Sequence, residues 1–446
     1  TAAHGQVDAA KALRSPGSTL KPFLYALQME QGVLTPKTRL LDTPYDAEGF
    51  QVENYDGLYS GIVYADEALR RSLNVPMVRL LHGTGARPFI EFAINAGIAS
   101  LSAQKDKLGL SLILGGCGVT LEELVGAYAS FPAGGIYEPP SFVHRKKAGV
   151  SSSREVFSMS TAYMITEILA SLDRPDLPNN FESSVNLPKV AFKTGTSYGR
   201  RDAWSIGYSA EYTVGVWIGN VDNKGNPELV GSKSAAPLLV DIFNSISTGH
   251  QKTILPMPQD VRIHDVCAKS GFLPTSRCDH VIEDYYSVSR TLTHTCEVDR
   301  EFLVSVDRTK TFCPSCVGEN RYTTVSYQDY PSELLSFWSK TGVAYTQAPP
   351  HNPGCTRLFA GDGPKIISPT DEMTYFVVSA KQKVALQASS GLDVNEHIWY
   401  LDDSYLGRNK PGDKLFVSLR DGEHRVSCLD DKGRMSNVHI IVKQAM

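Results

Sequence analysis

The order of hydrophobic patterns predicts an α/β (α+β) domain with an antiparallel sheet and helices, followed by a cysteine-rich segment and a small all-β domain. Three observations carry this reading. Helix-like and strand-like periodicities alternate from Leu13 to Asn244. Six of the eight cysteines fall between positions 267 and 355. After Lys365, short alternating strands follow one another between Gly and Asp turns. At 446 residues the chain exceeds one ordinary domain, so about two or three cores are expected.

The elements follow in order. Apolar residues at helical spacing from Phe23 to Glu30, after Pro22 and before Gly32, predict a helix closed by glycine. Leu121 to Phe131 and Met159 to Leu172 predict two more, the second capped by Ser158 or Ser160. Lys189 to Thr196, Ala203 to Ser209 and Tyr212 to Val221 are rich in β-branched and aromatic residues and read as strands, the last two joined as a hairpin through Ala210-Glu211. Thr248 to Gln259, with Pro256-Met257-Pro258, reads as a linker. The expected divisions are therefore 1–248, then a cysteine-rich segment over 249–360, then 361–446. In the last part Thr374 to Ala380, Val384 to Ala388, His397 to Leu401, Lys414 to Leu419, His424 to Asp430 and Asn437 to Lys443 alternate like the strands of an immunoglobulin-like sandwich, with Trp399 as its core anchor.

Charge excludes two partner classes. A net charge of −4 and a pI near 6.3 offer no electrostatic footprint for nucleic acid or an anionic membrane surface. The most apolar stretches, Leu108 to Val119 and Val214 to Val221, are short and broken by glycine, so no segment reads as membrane-spanning. The chain opens at Thr1 without a targeting pattern, and a fragment of a longer precursor is expected.

Three short motifs lie along the first domain: Ser18-Thr19-Leu20-Lys21, Ser72-Leu73-Asn74 and Lys193-Thr194-Gly195-Thr196. Each is weak alone, since an isolated S-x-x-K is usually a solvated helix start. Their chemistry is complementary. Ser18 and Lys21 share one face of a helix begun by Pro16-Gly17, which sets the serine at the positive end of the dipole. An alcohol becomes a nucleophile when a base takes its proton, and a lysine does this only as a neutral amine. Lys193, a second cation, together with burial and the helix N-terminus, pushes Lys21 toward that form. Ser72 relays a proton to a leaving group, and Asn74 offers an amide to a substrate backbone. On an edge strand, Lys193, Thr194, Gly195 and Thr196 can pair with an extended peptide and meet its carboxylate. The backbone N–H groups of Ser18 and Thr196 suit an oxyanion hole.

All three motifs, in this chain order, are shared by class A β-lactamases and penicillin-binding proteins, with S-L-N here in place of S-D-N. The wider text of Ala12 to Phe23, Glu67 to Pro76, Leu110 to Gly135 and Lys193 to Trp204 resembles the class A penicillin-binding proteins of the 1C type. The resemblance implies a penicillin-binding-protein/β-lactamase-like transpeptidase domain that is N-terminally incomplete here. It implies a D,D-transpeptidase that cross-links peptidoglycan stem peptides through an acyl-enzyme on Ser18, takes β-lactams as covalent inhibitors and needs no cofactor. A glycosyltransferase domain and membrane anchor would precede it on the extracytoplasmic, periplasmic face of the inner membrane, and the C-terminal domain would meet cell-wall protein partners. A β-lactam-binding sensor or scaffold without turnover, and a D,D-carboxypeptidase, stay open as alternatives.

An extracytoplasmic location tilts the cysteines toward disulfides, with Cys267–Cys278 first and Cys296, Cys313, Cys316 and Cys355 forming two more. The rival is a zinc site on Cys296, Cys313, Cys316 and Cys355, to which Cys313-Pro314-Ser315-Cys316 would give half the ligands. Cys117 and Cys428 read as small core residues, His294 as a surface histidine or a member of a metal site, Arg200 and Arg201 as solvated strand-end charges or contacts to a substrate carboxylate, and Trp204 and Trp217 as core aromatics of the sheet.

Overall fold

The computed structural model describes residues 8–47, 50–142, 153–172, 188–246, 253–314, 316–352, 355, 363–377, 383–390, 394–402 and 404–444. The chain divides into two compact units, Thr1–Cys296 and Glu297–Met446.

In the first unit, helix α1 (Lys21–Glu30) carries Pro22 in its first turn, where a missing N–H costs no intrahelical bond. A 3₁₀ turn, Gly17–Leu20, precedes it. The helix expected to begin at Pro16-Gly17 thus opens as a 3₁₀ turn that runs directly into α1 at Lys21, with Gly17, at φ +55°, at its very start. Strands β1 (Arg39–Asp42), β2 (Tyr45–Ala47), β3 (Phe50–Val52) and β4 (Gly61–Tyr64) follow, pairing β1 with β4 and β2 with β3, both antiparallel. Helices α2 (Ala65–Arg70), α3 (Val75–Thr84) and α4 (Ala86–Asn95) come next. Helix α5 (Leu121–Tyr128) is fixed by a capping box in which the Thr120 side chain accepts from Glu123 N and the Glu123 carboxylate accepts from Thr120 N. After the short pair β5 (Ile136–Tyr137) and β6 (Arg154–Glu155), helix α6 (Met159–Ala170) is capped by Ser158, whose Oγ accepts from Thr161 N at 3.3 Å. Glu30, at the end of α1, accepts from Ser158 N, Ser158 Oγ and Thr161 Oγ1 at 2.9, 2.6 and 2.6 Å, which pins the two helices together.

The main sheet is antiparallel, ordered β7 (Ala191–Thr196), β8 (Asp202–Tyr208), β9 (Thr213–Gly219), with every residue of β8 buried. Strand alternation divides its faces. Ala191, Trp204, Ile206 and Tyr208 join the large core shared with α1 and α6, while Phe192, Ala203 and Val216 pack with Leu239 and Phe243 of α7 (Ala236–Ile246). Lys193 and Gly195 follow Ala191 by two and four residues, so alternation assigns them to the face where α1 begins.

The linker expected at 248–259 lies partly outside the described residues, and the compact unit continues beyond it. Strands β10 (Val261–Cys267) and β11 (Val281–Ser287) form a hairpin tied to the first unit by polar contacts. Asp260 accepts from Ser160 Oγ at 2.8 Å and from Ser287 Oγ, and Tyr64 Oη donates to Ala268 O at 2.9 Å. Tyr163 and Tyr285 meet edge to face.

The second unit holds a three-stranded sheet ordered β13 (Thr311–Phe312), β12 (Asp299–Ser305), β14 (Tyr322–Gln328), and helix α8 (Ser332–Thr341). Two further sheets follow. One is ordered β15 (Lys365–Ser368), β17 (Val384–Ser389), β20 (Leu415–Val417); the other runs β16 (Met373–Val377), β22 (Met435–Gln444), β21 (Gly422–Asp430), β18 (His397–Leu401), β19 (Ser404–Asn409), with β16 and β22 parallel. Leu386, Ala388 and Val417 of the first sheet share one core with Val426, Cys428, Ile440 and Val442 of the second, around a fully buried Trp399. Trp399 Nε1 donates to Asn409 Oδ1 at 2.8 Å, so the indole's polar atom is satisfied. Trp399→Ala is expected to cost about 3–5 kcal/mol. Chemical denaturation followed by far-ultraviolet circular dichroism checks this, and a loss below about 1 kcal/mol would show that the core closes without the indole.

Candidate active site

The three sequence motifs meet at one place. Ser18 sits half-buried on the 3₁₀ turn, and this turn is held from several sides. Thr19 N and Thr19 Oγ1 both donate to Pro16 O, at 3.3 and 3.0 Å. Tyr128 Oη on α5 donates to Thr19 O at 2.6 Å, and Trp204 Nε1 on β8 donates to Ser15 O at 2.7 Å. Ser15 Oγ donates to Gly115 O at 2.7 Å.

Strand β7 lies directly against the turn, and two glycines permit the approach. A Cβ on Gly17 would stand 2.6 Å from the Thr196 amide nitrogen, and one on Gly195 would stand 2.3 Å from Pro16 O. Both distances are too short for any side chain. The close approach brings the Thr196 amide beside the Ser18 turn.

Lys21 and Lys193 are fully buried and reach the same short loop. Lys21 Nζ donates to Ser72 O, Leu73 O and Asn74 Oδ1 at 2.7, 2.9 and 2.9 Å. Lys193 Nζ donates to Ser72 Oγ at 2.8 Å and to Thr194 O at 2.9 Å. Burial holds the Lys21 amine well below the ordinary lysine range, and the Lys193 charge pushes it the same way. Burial brings Lys193 down to about 7.

The loop is itself under constraint. Ser72 has φ +58°, a conformation a non-glycine residue adopts only when its surroundings enforce it. The enforcement comes from buried polar groups that the motifs do not include. Asn54 Oδ1 accepts from Asn74 N at 2.8 Å, while Asn54 Nδ2 donates to Asp42 Oδ1 at 2.7 Å and to Leu58 O at 2.8 Å. Asp42 Oδ2 also accepts from Ser60 N at 2.8 Å. Asp42, Asn54, Tyr128 and Trp204 are thus positioning residues that motif reading passes over. For Asp42 the local signal is a polar residue closing an apolar run, Leu40-Leu41-Asp42, whereas Trp204 reads from the sequence as a core aromatic.

Asn74, expected to offer its amide to a substrate backbone, meets Lys21 through Oδ1 and donates from Nδ2 to Glu53 O at 2.9 Å. Lys21 meets Ser72 through the backbone carbonyl, and the hydroxyl belongs to Lys193. Thr196 Oγ1 accepts from Gly231 N at 3.0 Å. Thr194 is half-buried on β7, opposite Ser205. A cleft of about 250 Å³, lined by Arg14, Ser15, Ser197, Tyr198, Arg201 and Asn223, opens beside the start of the turn. Arg201 lines it, whereas Arg200 donates to Pro227 O at 2.8 Å.

The sequence profile of the penicillin binding protein transpeptidase domain matches residues 5–246, more than half of the chain. The chain belongs to the penicillin-binding transpeptidase family. A second profile, the penicillin-binding protein C-terminus family, matches residues 353–440. Penicillin-binding protein 1C of Escherichia coli is 35% identical over 59% of the chain and 33% of its own length. Penicillin-binding protein 1F of Bacillus subtilis is 30% identical over 56% and 36%. The chain therefore spans about a third of the length of these relatives. Among solved structures, penicillin-binding protein 1A from Haemophilus influenzae shares the fold, with a TM-score of 0.54 at 21% identity over 66% of this chain and 50% of that one. No helix among the described residues is long and apolar enough to cross a membrane.

The cysteines assemble differently from the expectation. Among the described residues no disulfide joins any of the eight. Cys267, Cys278 and Cys296 form one group, and Cys313, Cys316, His351 and Cys355 form another. Cys296 thus stands apart from the zinc set expected for it, and His351 takes the fourth place there. His294 is exposed and packs against Phe272. Cys428 is buried in the core of the second unit, and burial pushes the Cys117 thiol up to about 12.

The lysine environment has a measurable consequence. An ordinary lysine titrates near 10.5, so the unfolded chain holds this proton at pH values where folded Lys193 has lost it. Because the unfolded state then binds more protons, stability is expected to rise with pH from about 7 toward 10.5. Carbon–proton NMR of ε-labelled lysine should show one resonance, absent in Lys193→Met, titrating near 7. Titration of that resonance near 10 would sink the assignment.

Proposed function

We propose that the chain is the serine D,D-transpeptidase part of a class A peptidoglycan synthase, with Ser18 as nucleophile and Lys21 as its base. The observation that supports this most is the convergence of two buried, pKa-lowered lysines on the Ser72–Asn74 loop beside the Ser18 turn. A neutral amine is the form that can accept a serine proton, and burial supplies that form without any other base.

The proposed reaction balances as follows. Lys21 takes the Ser18 hydroxyl proton as Oγ bonds to the carbonyl carbon between the last two D-alanines of a stem peptide. The Ser18 and Thr196 N–H groups hold the resulting oxyanion. The C–N bond breaks, and the leaving D-alanine nitrogen takes a proton from Ser72 Oγ, which Lys193 replaces. An amine from a neighbouring stem then attacks the ester and returns a proton to Lys193 through Ser72. Ser18 leaves with the proton that Lys21 had stored. Strand β7 is the edge of its sheet among the described residues, so its exposed side suits an extended donor peptide, with Thr194, Gly195 and Thr196 at the terminal carboxylate. β-Lactams would enter the same ester-forming step.

The full protein is proposed to carry a glycosyltransferase domain and membrane anchor ahead of this chain and to work on the extracytoplasmic side. The two-sheet C-terminal region is proposed to be an immunoglobulin-like module that meets cell-wall proteins.

A fluorescent penicillin is expected to label the chain covalently at Ser18 and to leave Ser18→Ala unlabelled. Lys21→Ala should slow labelling by about 10²–10⁴-fold, the usual scale for loss of a general base. Gly195→Ala should also slow it, because the added methyl displaces the turn from β7. On pentapeptide donors with an amine acceptor, released D-alanine should match cross-linked product. D-alanine without cross-links would identify a carboxypeptidase, and labelling without either product would identify a sensor.

A further inference from the structure

We propose that Cys313, Cys316, His351 and Cys355 form a structural zinc site in the second unit. Four potential ligand atoms gather there within 4.8 Å of one another. Cys313 Sγ lies 3.4 Å from Cys316 Sγ and 3.8 Å from Cys355 Sγ, and Cys316 Sγ lies 3.4 Å from His351 Nε2. Tetrahedral zinc with bonds of about 2.3 Å to sulfur and about 2.0 Å to nitrogen requires ligand separations of about 3.8 Å between sulfurs and about 3.5 Å between sulfur and nitrogen. The Cys313–Cys355 and Cys316–His351 separations match these figures, and the Cys313–Cys316 pair lies about 0.4 Å closer than the sulfur–sulfur value.

Parity separates this site from a disulfide. Three thiols can make one bridge, which leaves the third cysteine unpaired and gives His351 no part. Three thiolates and one neutral imidazole complete a closed four-coordinate set, the pattern of structural zinc. The spacing fits as well: a C-x-x-C pair with a proline inside it, then a histidine and a cysteine four positions apart. The backbone N–H of Cys313 donates to Cys316 Sγ at 3.3 Å, which helps to fix the position of that sulfur.

The surroundings hold the ligands in place and explain why a metal is needed. Thr311 N donates to Pro350 O at 2.9 Å and Asn352 N donates to Thr311 O at 2.8 Å, so the backbone on both sides of His351 is fastened to β13, two residues from Cys313. Cys355 N donates to Asn352 O at 2.9 Å. The segment from 297 to 352 contributes nothing to the three hydrophobic clusters of the described residues, and its buried apolar side chains are Val304, Phe312 and Leu334. Segments with so small a core are held by disulfides or metal. The other thiol group, Cys267, Cys278 and Cys296, has three ligands and no fourth among the described residues, so it does not close in this way.

The test uses the full chain, purified anaerobically with reduced thiols and titrated with cobalt(II) and then zinc. Wild type should give a tetrahedral cobalt spectrum with thiolate charge-transfer bands, and zinc should displace it. His351→Cys should keep the ion and shift the bands toward four-sulfur character, which keeps the test valid if harsher variants misfold. The pair His351→Ala and Cys355→Ser should lose one metal equivalent, and Cys278→Ser should leave the spectrum unchanged. Chelation should expose the 297–355 segment to limited proteolysis. No cobalt uptake by the reduced chain overturns the proposal. So does a spectrum that responds to Cys278→Ser and ignores His351→Cys.

Discussion

The burial of two lysines against one strained loop is the constraint on which the rest of the first unit depends. Removing two ammonium groups from water is costly unless each finds acceptors or gives up its proton. Lys21 finds three oxygens on the Ser72–Asn74 loop, and Lys193 finds the Ser72 hydroxyl and its own neighbour's carbonyl. Moving that loop would take three acceptors from Lys21 and leave Lys193 with the Thr194 carbonyl. The fold answers with buried polar support behind it, running from Asp42 through Asn54 to the Asn74 amide. The desolvation that penalises the ammonium is also what lowers both lysines toward the neutral amine that the proposed reaction requires.

A second constraint is distance. The Ser18 turn and β7 touch backbone to backbone, and the approach works only because Gly17 and Gly195 have no Cβ at the contact. Trp204 and Tyr128 fasten the turn from the sheet and from α5, so the serine is located by long-range contacts as well as by its own helix. Ser18, Lys21 and a strand edge thus stand in fixed relation, and in the proposed reaction such an arrangement lowers the ordering cost.

Much of this was legible in the sequence because the motifs join residue type to local spacing. Ser18 and Lys21 are separated by one helical turn, and Lys193 to Thr196 announce themselves as a strand through β-branched neighbours. Asp42 and Asn54 were not legible, because nothing in their local spacing marks a residue that works by reaching across the fold. The 3₁₀ geometry of the first turn and the positive φ of Gly17 were not legible for a related reason: proline and glycine mark a helix start without giving the sign of φ. At 248–259 the composition signalled a boundary, yet Asp260 and Tyr285 bind the following hairpin to α6, and local composition carries no record of such contacts.

The cysteines show the same limit from the other side. Counting them by position grouped Cys296 with its nearest neighbours in sequence, whereas the fold sorts them by the elements they flank. Cys267 ends β10, and Cys278 precedes β11 in the same hairpin, and Cys296 joins them through the bridge between Leu273 and Thr295. Cys313 and Cys316 follow β13, and the strand pairing of Thr311 with His351 brings the histidine to them. A histidine that has no cysteine-like signature in the sequence becomes a ligand candidate only through that pairing. The same weakness of core that makes the 297–352 segment dependent on a staple makes its ligands hard to read locally, since few apolar residues mark where its elements must pack.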